Sequence, residues 1–463
     1  MSAPVTEIAR SPWIRRHLPA TIALVSIAAV AIAGGATAAV SQNPEPAVPV
    51  PNADRYAPDP EPDRVVLTPT EDPAHSQAVS WRTSGDYETA YAQITETRPG
   101  PSDFRGGPQL AELSETIDAE TVPMQADLGY MSHFHTAVFE NLQPETAYVY
   151  RVGDGANWSE WYEFTTAADG FAPFSFIYYG DAQNDIKEHV SRVFRRAYSD
   201  RPEASLTLHA GDLVDVAPAD HEWGEWFEAA GWINGVTNVI ATPGNHEYRS
   251  GELSPQWRPN FNFPSNGPTE ALDEVVYYVD YQGVRFISLD SNRTSGGELA
   301  EQAEWLDDVL ADNDARWTVI FHHHPIFSVS TGRDNTAWRN AMLPVIQDHD
   351  VDLVLAGHDH TYGRGNLSAD ESPSSRVHNG AVYAVSVSGP KMYDVSGQVW
   401  GQNGANIRST GENLQLYQLI DVEHDRLTYE ARTADGELHD GFQIRKQGES
   451  GRRAVIDLTE SQS

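Results

Sequence analysis

Short runs in which apolar and polar residues alternate fill the chain from Asp63 to about Thr166. Turn residues interrupt these runs at short intervals. A period of two places successive side chains on opposite faces of a strand, so the pattern predicts an all-β sandwich. The clearest runs are Arg64–Leu67, Ala78–Trp81, Tyr91–Ile94, Thr136–Phe139 and Ala147–Val152.

From Ala168 onward, continuous apolar runs alternate with amphipathic stretches, which is the order of an α/β domain around a buried sheet. The apolar runs are predicted strands: Phe174–Tyr179, Leu206–His209, Asn238–Ala241, Val284–Leu289, Thr318–Phe321 and Leu353–Ala356. The amphipathic stretches are predicted helices: Ile186–Tyr198, Glu298–Leu310 and Ala337–Gln347. Two or three further strands are predicted to close the domain, at Val382–Val387, Leu416–Asp421 and Leu427–Arg432.

The two ends of the chain differ from this pattern. Residues 1–40 contain Arg15-Arg16 and then an apolar run to Val40 that ends in small residues, which predicts a cleaved signal peptide and an exported protein. The run is also long enough for an uncleaved membrane anchor. Residues 41–60 are rich in Pro and acidic residues, which predicts a flexible linker. The predicted domains are then 61–168 (all-β) and 169–446 (α/β), followed by a polar C-terminal tail at 447–463.

The chain is strongly acidic: 67 Asp and Glu against 31 Lys and Arg give a formal charge of −36. This balance disfavours nucleic acid and anionic membranes as partners, because both attract basic surfaces. An anionic ligand would need metal ions or a few cationic side chains to reverse the local field. Nearly all the cations are Arg, with Lys only at positions 187, 391 and 446. The sequence contains no cysteine, so any metal has to be held by His, carboxylate or amide groups.

Five short polar segments follow predicted strands of the α/β domain. Loops at the carboxyl ends of strands in an open α/β sheet meet at one edge, so we expect these segments to converge. Carboxylate, amide and imidazole groups without thiols suit iron, zinc or manganese. The segments are Gly180-Asp181-Ala182-Gln183, Gly211-Asp212-Leu213-Val214-Asp215, Gly244-Asn245-His246-Glu247, His322-His323-His324-Pro325 and Gly357-His358-Asp359-His360.

The order of these segments, GD, GD, GNHE, HxP and GHxH, resembles that of the calcineurin-like metallophosphoesterases. Two additions are similar to the purple acid phosphatase branch. One is Thr361-Tyr362-Gly363-Arg364 after the last histidine, and the other is a front domain whose Leu142–Tyr148 and Trp161–Thr166 segments resemble the end of a fibronectin type III-like domain. The resemblance covers roughly residues 60–445. It implies an α/β fold, a four-layer αββα sandwich, preceded by an all-β fibronectin type III-like sandwich domain.

The resemblance also implies a centre of two divalent or trivalent metal ions (iron, zinc or manganese). The implied ligands are Asp181 and His360 for the first metal, Asn245, His323 and His358 for the second, and Asp212 as the carboxylate that bridges them. His322 and His324 stay as alternatives to His323, which is preferred because the family's ligand lies two positions before the proline. His246 resembles the histidine that contacts the substrate phosphate and protonates the leaving group.

Two features depart from the family pattern. The purple enzymes have a Tyr ligand three residues after the bridging Asp, where this chain has Asp215. Many related enzymes have a His two residues after the first Asp, where this chain has Gln183. Gln183, Asp215 or water is therefore expected to complete the first metal's shell, and a coloured iron(III)–phenolate pair is not expected. After Pro325 the family's additional substrate-contacting histidines are missing, and Arg333 is the cation that either binds phosphate or is a solvated surface residue.

The implied activity is hydrolysis of small-molecule phosphate monoesters by attack of a metal-bound hydroxide, as in an acid phosphatase. One alternative is a phosphodiesterase acting on nucleotides, glycerophosphodiesters or cell-wall polymers. A second alternative, of another class, is an inactive phosphoesterase fold that serves as a surface-binding protein. No nucleic-acid partner is expected, and contact with a membrane is expected only through the N-terminal segment if it stays uncleaved.

Overall fold

In the described part of the N-terminal domain there are eight strands, and they include the five runs that the sequence predicts. They are β1 (Asp63–Thr68), β2 (Gln77–Ser84), β3 (Tyr91–Glu96), β4 (Glu115–Asp118), β5 (Glu120–Gln125), β6 (Met131–Phe139), β7 (Ala147–Gly153) and β8 (Tyr162–Thr165), with a single helical turn α1 (Leu110–Leu113) before β4. The strands form two antiparallel sheets, in the orders β1-β2-β6-β5 and β4-β3-β7-β8. Trp81 and Phe139 from one sheet share a buried core with Tyr150 and Phe164 from the other, so the domain is a β-sandwich.

The structure is a computed structural model that describes residues 53–85, 89–100, 109–295, 297–367, 376–447 and 452–459. The predicted signal peptide or anchor and the linker residues 41–52 lie outside these residues. Within the described ranges, no helix combines the length and the apolar character needed to cross a bilayer.

The end of the predicted linker packs against the α/β domain. Residues 53–56 form a helical turn, in which Tyr56 is buried and lies against Gly224. Arg55 forms an ion pair with Glu228 at 2.8 Å, and Arg82 donates a hydrogen bond to the carbonyl oxygen of Tyr56. A flexible linker therefore does not describe this turn, because one aromatic ring and one charged side chain fix it in place.

The α/β domain contains every strand and helix that the sequence predicts, together with others that it does not. Its strands are β9 (Phe174–Tyr179), β10 (Leu206–His209), β11 (Asn238–Ala241), β12 (Tyr248–Arg249), β13 (Glu252–Leu253), β14 (Tyr277–Tyr281), β15 (Val284–Ser288), β16 (Trp317–His322), β17 (Leu353–Ala356), β18 (Tyr362–Leu367), β19 (Val377–His378), β20 (Val382–Val385), β21 (Ala405–Gly411), β22 (Leu416–Val422), β23 (Arg426–Thr433), β24 (Leu438–Gln447) and β25 (Arg452–Asp457). Its helices are α2 (Ser191–Asp200), α3 (Asp220–Ala230), α4 (Trp257–Asn260), α5 (Glu298–Ala311), α6 (Thr336–Asp348) and α7 (Gln398–Gln402).

Two mixed sheets make up the centre of this domain, in the orders β11-β10-β9-β22-β23-β24-β25-β19 and β14-β15-β16-β17-β20-β18-β21. In β17, Leu353 and Leu355 belong to the core cluster that includes Phe176 of the other sheet. Val354 points to the opposite face and belongs to the cluster that includes Met342 of α6. Helices α2 and α3 cover the outer face of the first sheet with residues such as Phe194 and Trp226. The four layers are therefore α, β, β and α, as expected.

The parallel strands of both sheets end at the same side of the molecule. β9, β10 and β11 run parallel in one sheet, and β15, β16, β17 and β20 run parallel in the other. Asp181, just after β9, forms an isolated parallel bridge with Val387, just after β20. The strand-end loops of the two sheets are thereby brought together, which positions the site described below.

The C-terminal segment contains more structure than the sequence indicates. The stretch predicted as a polar tail includes β25, which pairs with β24 and β19. Its apolar residue Val455 is fully buried. The apolar pattern of β25 is weak in the sequence because a strand near the edge of a sheet, with one buried face, needs only a few apolar residues.

Candidate metal centre

Each candidate ligand lies on a loop that begins where a parallel strand ends. Asp181 follows β9, Asp212 follows β10, Asn245 and His246 follow β11, His323 follows β16, and His358 and His360 follow β17. Glycine precedes several of them because there is no room for a side chain. A Cβ at Gly244 would lie 2.1 Å from Asp212 Oδ1, and one at Gly211, whose φ is +83°, would lie 2.7 Å from His323 Nδ1.

The backbone is strained at three of these positions. Asp212, His358 and His360 have φ values of 51°, 73° and 44°, in the left-handed region that residues other than glycine rarely occupy. Such strain persists only where the surrounding structure enforces it, and it is concentrated at functional sites. Here it turns one carboxylate and two imidazoles toward a common point.

One group of donors consists of Asp212, His323 and His358, whose ligand atoms all lie within 4.8 Å of one another. His323 Nε2 is 3.1 Å from Asp212 Oδ2, 3.1 Å from Asn245 Oδ1 and 3.1 Å from His358 Nδ1. The other ring nitrogen of His323, Nδ1, donates to the carbonyl oxygen of Ala210 at 2.9 Å. This bond leaves Nε2 as the atom that faces the group, as is usual for metal-binding histidines.

A second group consists of Asp181, Asp212 and His360. His360 Nε2 lies 3.6 Å from Asp181 Oδ1, while its Nδ1 donates to the carbonyl oxygen of Lys391 at 3.0 Å. Gln183 Nε2 is 2.9 Å from both Asp212 Oδ2 and His360 Nε2. Asp212 thus belongs to both groups, and the amide of Gln183 lies directly beside the second.

The two groups contain oxygen atoms that accept no hydrogen bond from the protein, as expected for a site that holds cations. Asp181 Oδ1 and Gln183 Oε1 are buried without a hydrogen-bond partner. Burial alone would lower the pKa of His323, but the charges of Asp212 and Asp181 raise it to about 9, so the two carboxylates favour a positive charge at this point. Burial lowers the pKa of His360 to about 4, which keeps its ring neutral and able to bind a metal. The residues present therefore fit a pair of metal ions.

The alternative histidines of the triple-histidine segment lie elsewhere. His322 is fully buried with its ring against Trp338, and neither of its nitrogens has a partner. His324 Nδ1 lies 2.9 Å from Ser291 Oγ, and its ring centre lies 4.2 Å from that of His358, with the two ring planes tilted by 46°. Of the three histidines, His323 is the one whose ring nitrogen reaches the carboxylates.

Asp215 lies beside His246 and outside both donor groups. His246 Nδ1 donates to the carbonyl oxygen of Asp215 at 2.6 Å, and the Asp215 carboxylate is 3.4 Å from the same nitrogen. The backbone N–H of His246 donates to Asp212 Oδ1 at 2.9 Å. Of the two residues predicted to complete the first metal's shell, Gln183 is close to the shared carboxylate, whereas Asp215 supports the histidine.

Arg333 is held at the rim of the two groups. Its Nη1 donates to the carbonyl oxygen of His358 at 2.6 Å and lies 3.7 Å from the buried carboxylate of Asp359. Its guanidinium carbon lies 4.8 Å from the centre of the Tyr393 ring, and 30% of its side chain is exposed. Arg333 is therefore a fixed, partly exposed cation.

Two carboxylates that the sequence did not single out, one buried (Glu247) and one partly buried (Glu222), hold the Asp212 loop. Glu247 accepts N–H groups from Asp212, Leu213 and Gly244 at 2.9, 2.8 and 2.7 Å, and so joins two ligand loops. Glu222, in the first turn of α3, accepts the N–H of Asp215 at 2.6 Å. Glu247 is part of the GNHE segment and could have been noticed there. Nothing in the sequence around Glu222 indicates its role.

Two family models match the chain. Residues 174–362 match the calcineurin-like phosphoesterase family, and residues 62–166 match the N-terminal domain of purple acid phosphatases. Together the two matches cover more than half of the chain.

Individual proteins support the same relationship. Zebrafish (Danio rerio) acid phosphatase type 7 is 26% identical over 272 residues, which is 50% of this chain but only 57% of that protein's length. Purple acid phosphatase 1 of Ipomoea batatas is 23% identical over 356 residues, covering 73% of this chain and 72% of its own. The fold is similar to that of purple acid phosphatase PPD1 from yellow lupin seeds, with a TM-score of 0.63, 16% identity, and coverage of 83% of this chain and 74% of that one. The chain therefore combines a domain of the calcineurin-like phosphoesterase family with a domain of the type found at the N-terminus of purple acid phosphatases.

Proposed function

We propose that this protein is an exported, metal-dependent enzyme that hydrolyses small-molecule phosphate monoesters. The observation that carries the proposal is the pair of donor groups that share Asp212, in which Asp181 Oδ1 is buried without a hydrogen-bond partner. Export is inferred from the N-terminal sequence alone, and the membrane would be contacted only if that segment stays uncleaved. The acidic charge of the chain favours small substrates over nucleic acid.

Asp181, His360 and Gln183 would hold the first metal, and Asn245, His323 and His358 the second, with Asp212 shared between them. Two metal ions in this position would lower the pKa of a water nucleophile and neutralise charge on the phosphoryl oxygens. The amide oxygen of Gln183 is the atom suited to a metal, so we expect the amide to rotate when the metal binds. Imidazole, carboxylate and amide donors fit iron, zinc or manganese.

His246 is positioned to protonate the leaving group. Because its Nδ1 donates to the carbonyl oxygen of Asp215, Nε2 is the atom left to face a substrate. The carboxylate of Asp215 lies 3.4 Å from the same Nδ1, so it helps to hold the ring in the orientation that a general acid requires. Asp215 is thus a positioning residue for His246.

Arg333 is proposed to bind the phosphoryl oxygens. One of its nitrogens donates to the carbonyl oxygen of His358, and its guanidinium carbon lies over the ring of Tyr393. The remaining N–H groups are left free for an anion. A guanidinium that is already ordered loses little entropy when it binds phosphate, which favours this role over that of a solvated surface residue.

The first metal is proposed to lack a phenolate ligand, so the protein should be colourless even with iron. The hydroxyl of Tyr362 donates to Asp440 inside the core, and that of Tyr178 donates to the carbonyl oxygen of Ala356. Tyr393, which sequence reasoning did not consider, has its ring 4.8 Å from that of His360. A visible charge-transfer band in the iron-loaded protein that disappears in Tyr393→Phe would contradict this proposal.

Metal analysis combined with a pair of substrates tests the function. Purified protein should contain bound metal and should hydrolyse 4-nitrophenyl phosphate faster than bis(4-nitrophenyl) phosphate. A faster reaction with the bis-ester would identify a phosphodiesterase that uses the same centre. A metal-free protein that hydrolyses neither compound after addition of iron, zinc or manganese would support the inactive, surface-binding alternative.

A further inference from the structure

Helix α3 holds the turn that contacts His246. Glu222, in the first turn of this helix, accepts the N–H groups of Asp215 and Val216 at 2.6 and 2.8 Å, both through its Oε2. The carbonyl oxygen of Asp215 in turn accepts a hydrogen bond from His246 Nδ1 at 2.6 Å. The orientation of the His246 ring therefore depends on where α3 places the carboxylate of Glu222.

The same turn is attached to α3 at a second point. The indole nitrogen of Trp223, which is fully buried, donates to the carbonyl oxygen of Ala217 at 3.0 Å. The N–H of Ala219 donates to the carbonyl oxygen of Val216 at 2.9 Å, so the chain passes directly from the turn into the helix. The turn and the beginning of α3 therefore form one hydrogen-bonded unit.

The N-terminal domain caps the beginning of α3. The first N–H groups of a helix have no partner inside the helix, and they are usually satisfied by a side chain at the N-cap position. In α3 the N-cap residue is Ala219, which has no side-chain acceptor. The N–H of Asp220, the next residue, donates instead to Asp127 Oδ1 at 3.0 Å. Asp127 lies between β5 and β6, so the other domain supplies the cap.

Further contacts from the part of the chain before the α/β domain reach both ends of α3. Arg64 and Tyr130 donate hydrogen bonds to the side chain of Asp220 at 2.9 and 2.8 Å. Arg55 forms its ion pair with Glu228, in the last turn of the helix. The position of α3 is therefore set by residues outside the domain that contains His246.

We infer that Glu222 is a positioning residue for His246 and that the N-terminal domain, by fixing α3, sets the orientation of this histidine. The inference rests on the proposed function, in which His246 protonates the leaving group. The hydrogen-bond path runs from Asp127 through the N-terminus of α3 to Glu222, and from there through Asp215 to His246 Nδ1. A ring that is free to rotate would present Nε2 to the leaving group for a smaller fraction of the time, which slows proton transfer.

Metal binding does not depend on this path. The N–H groups of Asp212 and Gly244 donate to Glu247 at 2.9 and 2.7 Å, so a different carboxylate holds the loops that carry the shared ligand and Asn245. Loss of Glu222 should therefore impair proton transfer while leaving both donor groups in place.

The first test compares Glu222→Ala with Glu222→Gln, whose amide oxygen can accept the same two N–H groups. The kcat values are measured for 4-nitrophenyl phosphate and for phenyl phosphate, which is similar in shape but has a poorer leaving group. Glu222→Ala should keep its metals and should lower kcat for phenyl phosphate roughly 10-fold more than for 4-nitrophenyl phosphate, which corresponds to about one hydrogen bond. Glu222→Gln should retain the ratio of the unmodified protein.

The second test addresses the N-terminal domain and uses Asp127→Ala. The variant should change the ratio of the two kcat values in the same direction but only roughly 2- to 5-fold, because it loosens the first turn of α3 and leaves Glu222 present. Asp118→Ala is the matched control, since Asp118 is an exposed carboxylate in the other sheet of the same domain. It should leave the ratio unchanged.

Equal losses on the two substrates in Glu222→Ala, or the same selective loss in Glu222→Gln, would overturn the role of Glu222. Equal ratios in Asp127→Ala and Asp118→Ala would overturn the role of the N-terminal domain. All of these outcomes leave the phosphatase activity of the unmodified protein in place.

If the unmodified, metal-loaded protein hydrolyses neither substrate, the proposed function fails, and NMR of the imidazole nitrogens of His246 in the zinc-loaded protein tests the path separately. The form with the proton on Nδ1 should predominate in the unmodified protein and in Glu222→Gln. In Glu222→Ala the ring should shift toward the form with the proton on Nε2. An unchanged ring in Glu222→Ala would exclude the path.

Discussion

Asp212 in the metal centre and Asp220 at the start of α3 are both buried carboxylates, but their surroundings are opposite in character. Asp220 receives hydrogen bonds from Arg64, Arg82, Tyr130 and Gln256 at 2.9, 3.1, 2.8 and 2.8 Å. Both of its oxygens are satisfied by donors, two of them positively charged. Arg64 and Arg82 belong to β1 and β2, so this cluster also joins the two domains.

The surroundings of Asp212 are rich in acceptors instead. Asp212 accepts hydrogen bonds as well, but Asn245 Oδ1 and His358 Nδ1 meet at His323 Nε2 together with Asp212 Oδ2. Asp181 Oδ1 is buried without a hydrogen-bond partner. A buried polar cluster that the protein satisfies by itself stabilises the fold, whereas one with excess acceptors requires cations from outside. The comparison therefore separates a structural charge cluster from a functional one without reference to any motif.

The largest expected effect is that of Asp212→Asn. The substitution removes the only group shared by both sets of donors, so bound metal should be lost and turnover of 4-nitrophenyl phosphate should fall by several orders of magnitude. Asp220→Asn is the matched control, because it changes an equally buried carboxylate and should leave metal content unchanged. Near-normal turnover and full metal content in Asp212→Asn would refute the assignment of the shared ligand.

The next largest effect is expected for His246→Ala, which distinguishes a general acid from a metal ligand. The variant should keep its metals and lose roughly 10²–10⁴-fold in rate, the usual contribution of a positioned acid or base. The loss should be smaller for substrates with good leaving groups, which need less protonation. His358→Ala should lose metal instead. Equal losses of His246→Ala on good and poor leaving groups would remove the acid role and leave a phosphate contact.

Asp220→Ala should reduce stability without removing metal. It leaves Arg64 and Arg82 buried beside each other without their shared partner, and breaking a buried ion pair in this way costs about 3–5 kcal/mol. Denaturant unfolding of the unmodified protein and of Asp220→Ala measures the difference in unfolding free energy.

Tyr150→Phe removes another hydrogen bond between the domains, from the phenol to the carbonyl oxygen of Gly235, and should cost only about 1 kcal/mol. A similarly small loss of unfolding free energy in Asp220→Ala and Tyr150→Phe would show that the Asp220 cluster contributes no more to stability than a single hydrogen bond.

The smallest effect is on the pH dependence of stability. Burial tends to raise the pKa of Asp220, but the charges of Arg64 and Arg82 and the hydrogen bonds outweigh it and hold this pKa below its usual range. The stability that Asp220 contributes is therefore complete above the unfolded pKa, about 4, and is lost as the pH falls through the lower folded value. The difference in unfolding free energy between the unmodified protein and Asp220→Asn should be constant from about pH 5 to 7 and should narrow below about pH 4. A difference in unfolding free energy that widens as the pH falls would contradict a lowered pKa for Asp220.

The grouping of the candidate metal ligands could be predicted from the sequence because the information for it is local. Each ligand follows a glycine or a short motif directly after an apolar strand, and parallel strands bring such loops together. Gln183 also lies where the spacing from Asp181 places it. Asp215 lies outside both donor groups and beside His246, in a turn whose N–H groups donate to Glu222.

The Asp220 cluster could not be predicted in the same way. Arg64 and Asp220 are 156 positions apart, and Arg82 and Asp220 are 138 apart. Each lies in ordinary surroundings, inside a strand or at the start of a helix, and no spacing rule links two domains. Residues 53–56 were predicted as linker and β25 as part of a polar tail for the same reason. The residues that they contact are distant in the sequence.

A metal titration of chelator-treated protein tests the central claim most directly. Metal is removed, and iron, zinc or manganese is then added in steps while bound metal and turnover of 4-nitrophenyl phosphate are measured together. If Asp212 joins two metal sites, the metal-free protein should be inactive, and activity should reach its maximum at about two equivalents of bound metal. The account would be contradicted by full activity in the chelator, or by activity that is complete with one equivalent.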